Sequence, residues 1–137
     1  MPAVSGILET ALDVEDIERA ARFYEEIFGF ERLLSDQGFC AFSVAGKDML
    51  LLFKRGGTSQ PLRLPGGVIP PHGSSGHLHF AFSIAAEELD RWEKHLAAKG
   101  IAIEGRMHWE RGGCSIYFRD PDQHLVELAT PGIWPIY

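Results

Sequence analysis

Two glutamates and a histidine sit where packing alone gives no reason for them. Glu9 lies in the alternating run 7–14, His79 in the run 77–84 and Glu127 in the run 124–129, each inside an otherwise apolar, strand-like segment. Alternation decides which side chains share a face. Leu8, Thr10, Leu12 and Val14 form one face of the first run and leave Glu9 on the other. Leu78, Phe80, Phe82 and Ile84 leave His77 and His79 opposite them, and Val126 and Leu128 leave Glu127 opposite. A carboxylate taken out of water needs a partner. One candidate is an arginine, such as Arg106 or Arg119. The other is a divalent metal, because two carboxylates and an imidazole make an oxygen-rich set suited to Mn, Fe, Ni, Zn or Mg, with positions left for water and substrate. In that chemistry Glu9, His79 and Glu127 converge on one concave surface as metal ligands. Glu127 or His77 is then the candidate catalytic base.

Those side chains are positioned by a pattern that occurs twice. The run 7–14 reads as a strand, and 15–28 as a helix with Ile17, Ala20, Ala21, Tyr24, Ile27 and Phe28 on one face and Gly29 as its stop. Strands follow at 30–34, 39–44 and 48–54, separated by the turn-prone stretches 35–38 and 45–47. The second half repeats this β-α-β-β-β order. It has a strand at 77–84, a helix at 86–99 with Leu89, Trp92 and Leu96 on one face, then strands at 101–108, 113–119 and 124–129. Landmarks align at a nearly constant spacing of about 70 residues, the signature of an internal duplication. Glu9 aligns with His79, Arg19 with Arg91 and Gly29 with Gly100; the same order of elements, at a wider spacing of 76, sets Asp48 against His124, which makes Leu51 the counterpart of Glu127. The expected organisation is one domain over 1–137. Its modules 4–55 and 77–130 are joined by a loop, 56–76, rich in Gly, Pro and Ser, which acts as linker and lid.

Composition bounds the function. The 137 residues are 45% hydrophobic and 23% charged, the profile of a globular domain. Lysine and arginine number 13 against 19 acidic residues, a formal charge of −6, which argues against nucleic acid and acidic membranes as partners. No apolar run approaches the roughly 20 residues that cross a bilayer, and the N-terminus lacks signal-peptide features, so a soluble cytoplasmic protein is expected. Cys40 and Cys114 match no metal or redox spacing and read as buried, reduced thiols. The aromatic supply exceeds what a small core needs. Phe53, Tyr117 and Trp109, with His72 from the loop, are the candidate substrate-binding residues, while His95 and His124 are assigned no catalytic role. The apolar ending 129–137 suggests docking on the body or across a dimer interface.

The segment Ile7-Leu8-Glu9-Thr10-Ala11-Leu12-Asp13-Val14-Glu15-Asp16, followed by Phe23-Tyr24 and Phe28-Gly29-Phe30, resembles the opening of glyoxalases and fosfomycin-resistance proteins. His79-Phe80-Ala81-Phe82 resembles the metal-histidine strand of that group, and residues 117–128, with Asp120-Pro121-Asp122 and Glu127, resemble its closing signature. The family is the vicinal oxygen chelate superfamily of glyoxalases, bleomycin-resistance proteins and extradiol dioxygenases. The resemblance implies an α+β fold of two tandem β-α-β-β-β modules in a cup-shaped mixed sheet with the helices outside, assembled as a homodimer. It also implies one divalent metal at Glu9, His79 and Glu127, chelated by vicinal oxygens of a small substrate. Glu9 stands where bacterial members usually carry histidine, and Leu51 near an additional carboxylate of glyoxalase I. The activity implied is that of a metal-dependent lyase or isomerase. The alternatives are an antibiotic-modifying transferase of the fosfomycin-resistance type and a metal-free, drug-sequestering protein of the bleomycin-resistance type.

Overall fold

A computed structural model describes residues 1–137 and divides them into two compact units, 1–76 and 77–137. In the first unit, strand β1 (Glu9–Val14) leads into helix α1 (Ile17–Phe28). Asp16 starts the helix from an extended conformation, its carboxylate accepting the Arg19 N–H at 2.9 Å. Gly29 ends it at φ 66°, a left-handed geometry natural to glycine, with its N–H on the Glu25 carbonyl. The helix buries Ile17, Ala20, Ala21, Tyr24 and Ile27 across β3 (Phe39–Val44) and β4 (Asp48–Lys54). Tyr24 and Phe42, both fully buried, have ring centres 6.3 Å apart. The sheet order is β1-β4-β3-β2, with β2 (Glu31–Ser35) at one edge and β1 parallel to β4 at the other. Arg32 ties β2 to the helix through Glu18 and Glu25.

The loop 56–76 belongs to this first unit and is not featureless. It carries a short hairpin, β5 (Leu62–Leu64) and β6 (Gly67–Ile69), a detail the sequence reading lacks because three-residue strands are too short to alternate visibly. At its base Thr58 and His72 exchange hydrogen bonds, His72 N–H to the Thr58 carbonyl and Thr58 Oγ1 to the His72 carbonyl. The buried Asp13 carboxylate accepts the Ser74 N–H at 2.5 Å.

The second unit repeats the plan. Strand β7 (His79–Ser83) is followed by a single 3₁₀ turn, Ala86–Glu88, and helix α2 (Leu89–Ala98). The first turn of this predicted helix tightens because Ala85, where a cap would stand, makes no side-chain hydrogen bond. Strands β8 (Gly105–His108), β9 (Cys114–Arg119) and β10 (Leu125–Ala129) complete a sheet of order β7-β10-β9-β8. β10 runs parallel to β7 and antiparallel to β9 and is buried along both faces from Val126 to Ala129. Val126, Leu128, Ile116 and Phe118 supply the core on the face away from Glu127. The two sheets thus share one topology, an α+β fold of two four-stranded mixed sheets with a helix each. Register bears out the duplication, because Ala11 pairs with Leu51 as Ala81 pairs with Glu127.

Candidate metal centre

Parallel pairing places His79 beside Leu125, and Glu127 two residues further on the same face of β10. The imidazole Nδ1 lies 3.1 Å from the Leu125 carbonyl oxygen, which only accepts, so Nδ1 carries the hydrogen. Nε2 then faces Glu127 Oε2 at 3.1 Å. With one proton on the ring, two acceptors are opposed; a second proton or a shared cation resolves them.

Glu127 is buried, and its other oxygen is fully engaged. Ser115 Oγ donates to Oε1 at 2.5 Å and the Tyr117 hydroxyl donates to the same atom at 3.1 Å. Both donors project from β9 beside β10, where Tyr117 is the direct cross-strand neighbour of Glu127. Trp109 Nε1 in turn donates to Ser115 Oγ at 2.8 Å. Burial raises the Tyr117 phenol above its ordinary value, and the neighbouring Glu127 carboxylate adds to the rise. Tyr117 therefore remains a neutral donor at physiological pH.

The donor set fits a divalent cation. Two cis ligands about 2.1 Å from one metal stand about 3 Å apart, which matches the separation of Nε2 and Oε2. The Nδ1–H held by a backbone carbonyl is the usual support of a metal-binding imidazole. The arginine alternative fails on the structure, since Arg106 pairs with Glu93 and Arg119 with Glu104.

Of the three expected ligands, the structure brings two together. Glu9 lies in the first unit, exposed at the start of β1 beside Met49, and no group of three His, Cys, Asp or Glu side chains in the chain is placed to hold a metal. His77 is exposed just before β7. His72 does meet Phe53, edge to face at 4.7 Å, and Phe53 meets Phe39 at 5.0 Å, so these three rings form an aromatic patch in the first unit. Trp109 is half-buried with its N–H committed to Ser115. Cys40 is buried as expected, whereas Cys114 is only partly covered and lies 3.3 Å from His108 Nδ1. Sequence reasoning misses Ser115, whose signal is its place on the Tyr117 face of β9. It also misses His124, a fully buried ring that accepts the Leu78 N–H at 2.9 Å and fixes the approach to β7.

Residues 6–128 match the Glyoxalase family, the Glyoxalase/Bleomycin resistance protein/Dioxygenase superfamily. The chain belongs to this superfamily. Its relatives include a metallothiol transferase FosB of Shouchella clausii, 32% identical over 129 residues, covering 93% of this chain and 81% of the relative. A fosfomycin resistance protein FosX of Listeria monocytogenes is 31% identical over 133 residues, covering 91% of this chain and 89% of that one. Among solved structures, a lactoylglutathione lyase from Agrobacterium tumefaciens superposes with a TM-score of 0.89 at 34% identity, covering 98% of this chain and 99% of the other. These vicinal oxygen chelate proteins share the doubled β-α-β-β-β plan found here. No helix of the chain is long and apolar enough to cross a membrane.

Proposed function

We propose that the chain is a metal-dependent cytoplasmic enzyme acting on a small oxygenated molecule through adjacent oxygens, with addition of a thiol or water to an electrophilic carbon as its reaction. The observation that carries the reading is the opposed pair His79 Nε2 and Glu127 Oε2, two ligand atoms at metal-sharing distance and backed by dedicated hydrogen bonds. The names of the FosB and FosX relatives direct the reaction type towards thiol transfer in fosfomycin resistance. In this reading His79 and Glu127 hold the cation, and Glu9 joins them from a second copy in a homodimer. When bound, the cation stabilises negative charge developing on substrate oxygen.

The chain's own groups do the rest. Tyr117, kept protonated, gives its one hydroxyl hydrogen to Glu127 Oε1 and so steadies that carboxylate, leaving the lone pairs of its oxygen to accept from a substrate hydroxyl. Phe53 and His72 offer an apolar wall to the carbon skeleton. His77 receives the proton of the nucleophile. For an epoxide substrate, the sulfur or water oxygen bonds to a ring carbon, the C–O bond breaks, and the released oxygen takes up one proton, so atoms and charge balance.

The likeness to the lactoylglutathione lyase supports a second reading, lyase or isomerase chemistry on a thiol adduct. The two separate in one assay. Purified protein loaded with Mn²⁺ is incubated with fosfomycin and a panel of thiols, and separately with lactoylglutathione. Metal-dependent formation of the thiol or water adduct, lost in His79→Ala, is expected. Turnover of lactoylglutathione alone would overturn the transferase reading in favour of the second. Chelator-insensitive binding of a drug without turnover would overturn both in favour of sequestration.

A further inference from the structure

The hydrogen bonds around Glu127 have a direction. Trp109 Nε1–H can only donate, so Ser115 Oγ, 2.8 Å away, must accept from it. Ser115 has one proton of its own. Glu127 Oε1, 2.5 Å from Oγ, can only accept, so that proton points at the carboxylate as a short, charge-assisted bond. Ser115 is almost wholly buried, so water does not compete for the hydroxyl. Trp109 is itself fixed by the turn between β8 and β9, its N–H on the Gly113 carbonyl and its carbonyl accepting the Gly112 N–H. The chain from indole to hydroxyl to carboxylate therefore starts on rigid backbone and ends on one oxygen.

We infer that Trp109 and Ser115 are positioning residues that lock Glu127 Oε1 by hydrogen bonding, so that Glu127 offers a cation Oε2 alone and binds it through one oxygen. This rests on the reading of His79 and Glu127 as metal ligands and adds to it the donors that select the ligating atom. Trp109 thereby acts through Ser115 and Glu127, in place of the substrate contact expected from sequence. Removing the Ser115 hydroxyl leaves Oε1 with only the longer Tyr117 bond and frees the carboxylate to rotate or to present both oxygens.

The test titrates full-length protein with Mn²⁺ alone, reading free Mn²⁺ by electron paramagnetic resonance. Wild type is compared with Ser115→Ala, Ser115→Thr, Trp109→Phe and Glu127→Ala, and thermal melts confirm that each is folded. Loss of such a supporting hydrogen bond costs on the order of 10-fold in metal affinity, so Ser115→Ala is expected to bind about 10-fold more weakly. Trp109→Phe, which keeps a ring but loses the donor, shows a smaller loss in the same direction, and Ser115→Thr, which keeps the hydroxyl, restores the wild-type affinity. A second readout needs no metal. The Trp109 indole N–H resonance is protected from solvent exchange in wild type and in Ser115→Thr, and loses protection in Ser115→Ala. Wild-type affinity in both Ser115→Ala and Trp109→Phe, with binding still abolished by Glu127→Ala, would overturn this inference and leave the metal site standing. Equal binding by wild type and Glu127→Ala would overturn the metal site, and the inference with it.

Discussion

At Glu127 the two carboxylate oxygens have separate partners, Ser115 and Tyr117 on Oε1 and His79 on Oε2, and this division makes charge separable from shape. Glu127→Gln keeps an acceptor for the two hydroxyls and can turn its amide towards His79 Nε2. It is expected to stay within about 1 kcal/mol of wild-type stability, the scale of one hydrogen bond, while binding no metal; thermal melts and Mn²⁺ titration check both halves. Tyr117 gives a pH signature. Its phenol is raised by burial and by Glu127, so the native chain holds a proton that the unfolded chain releases near pH ~10. The stabilisation is complete below that value and is lost as pH rises through the phenol's higher native value. Melts across the alkaline range are expected to show a shallower decline in Tyr117→Phe than in wild type; equal slopes would contradict this. The two thiols also differ. Burial raises Cys40 above its ordinary value and hides it, while Cys114 is partly exposed, so a thiol reagent near pH 8 is expected to label Cys114 in native protein and both only after unfolding. Alternation in the sequence puts Glu9, His79 and Glu127 on the non-helical faces of their strands. It does not show that Ser115 and Trp109 stand behind Glu127, because that depends on the pairing register of β9 with β10 and on a turn conformation.

Element boundaries were most legible where turn chemistry brackets a strand. Strands 39–44 and 48–54 are read to the residue, set off by Asp36-Gln37-Gly38 and Ala45-Gly46-Lys47. Predicted strands 7–14, 77–84 and 101–108 are longer than observed, although single backbone bonds run on beyond the observed ends, from the Met49 N–H to the Leu8 carbonyl, the Leu125 N–H to the Leu78 carbonyl and the Glu104 N–H to the Tyr117 carbonyl. Leu8 illustrates this, lying outside β1 and largely exposed. Two glycines separate conformational strain from collision. A Cβ on Gly29 would meet nothing within 4 Å, so Gly29→Ala costs only the left-handed backbone, about 1 kcal/mol. A Cβ on Gly113 would come within 2.7 Å of the Gly132 carbonyl carbon, where the C-terminal segment crosses the start of β9. Gly113→Ala is therefore expected to lower the melting temperature clearly more than Gly29→Ala does. The loop 56–76 is tied to β1 by the buried Asp13 carboxylate, alongside the Thr58–His72 pair and the Arg55 bond to the Ser74 carbonyl. Asp13→Ala removes the acceptor of the Ser74 N–H, and hydrogen exchange is expected to rise at Ser74 and His72 while β1 and β4 stay protected. Unchanged exchange would show that the Thr58–His72 bonds, the Arg55 contact and the Phe53 ring suffice to hold the loop.

For the whole molecule, the doubled β-α-β-β-β plan was legible because strand and helix periods alternate in the same order twice, with glycine closing both helices. The assembly was not, since a chain's sequence does not say whether its two halves complete a site within one copy or across two. Glu9, exposed on β1 in a chain that groups no three metal-capable side chains, makes that question chemical. The proposed homodimer predicts that mixing Glu9→Ala chains with His79→Ala chains restores metal binding to part of the population, and a mixture without any binding would contradict sharing between copies. The metal itself is the central claim. The most direct measurement is the elemental content of protein purified without chelator or nickel, beside a His79→Ala, Glu127→Ala double variant. About one equivalent of divalent transition metal per chain in wild type and none in the variant is the predicted result. A wild type that is empty, and that also takes up no added Mn²⁺, Fe²⁺, Ni²⁺ or Zn²⁺, would contradict the account.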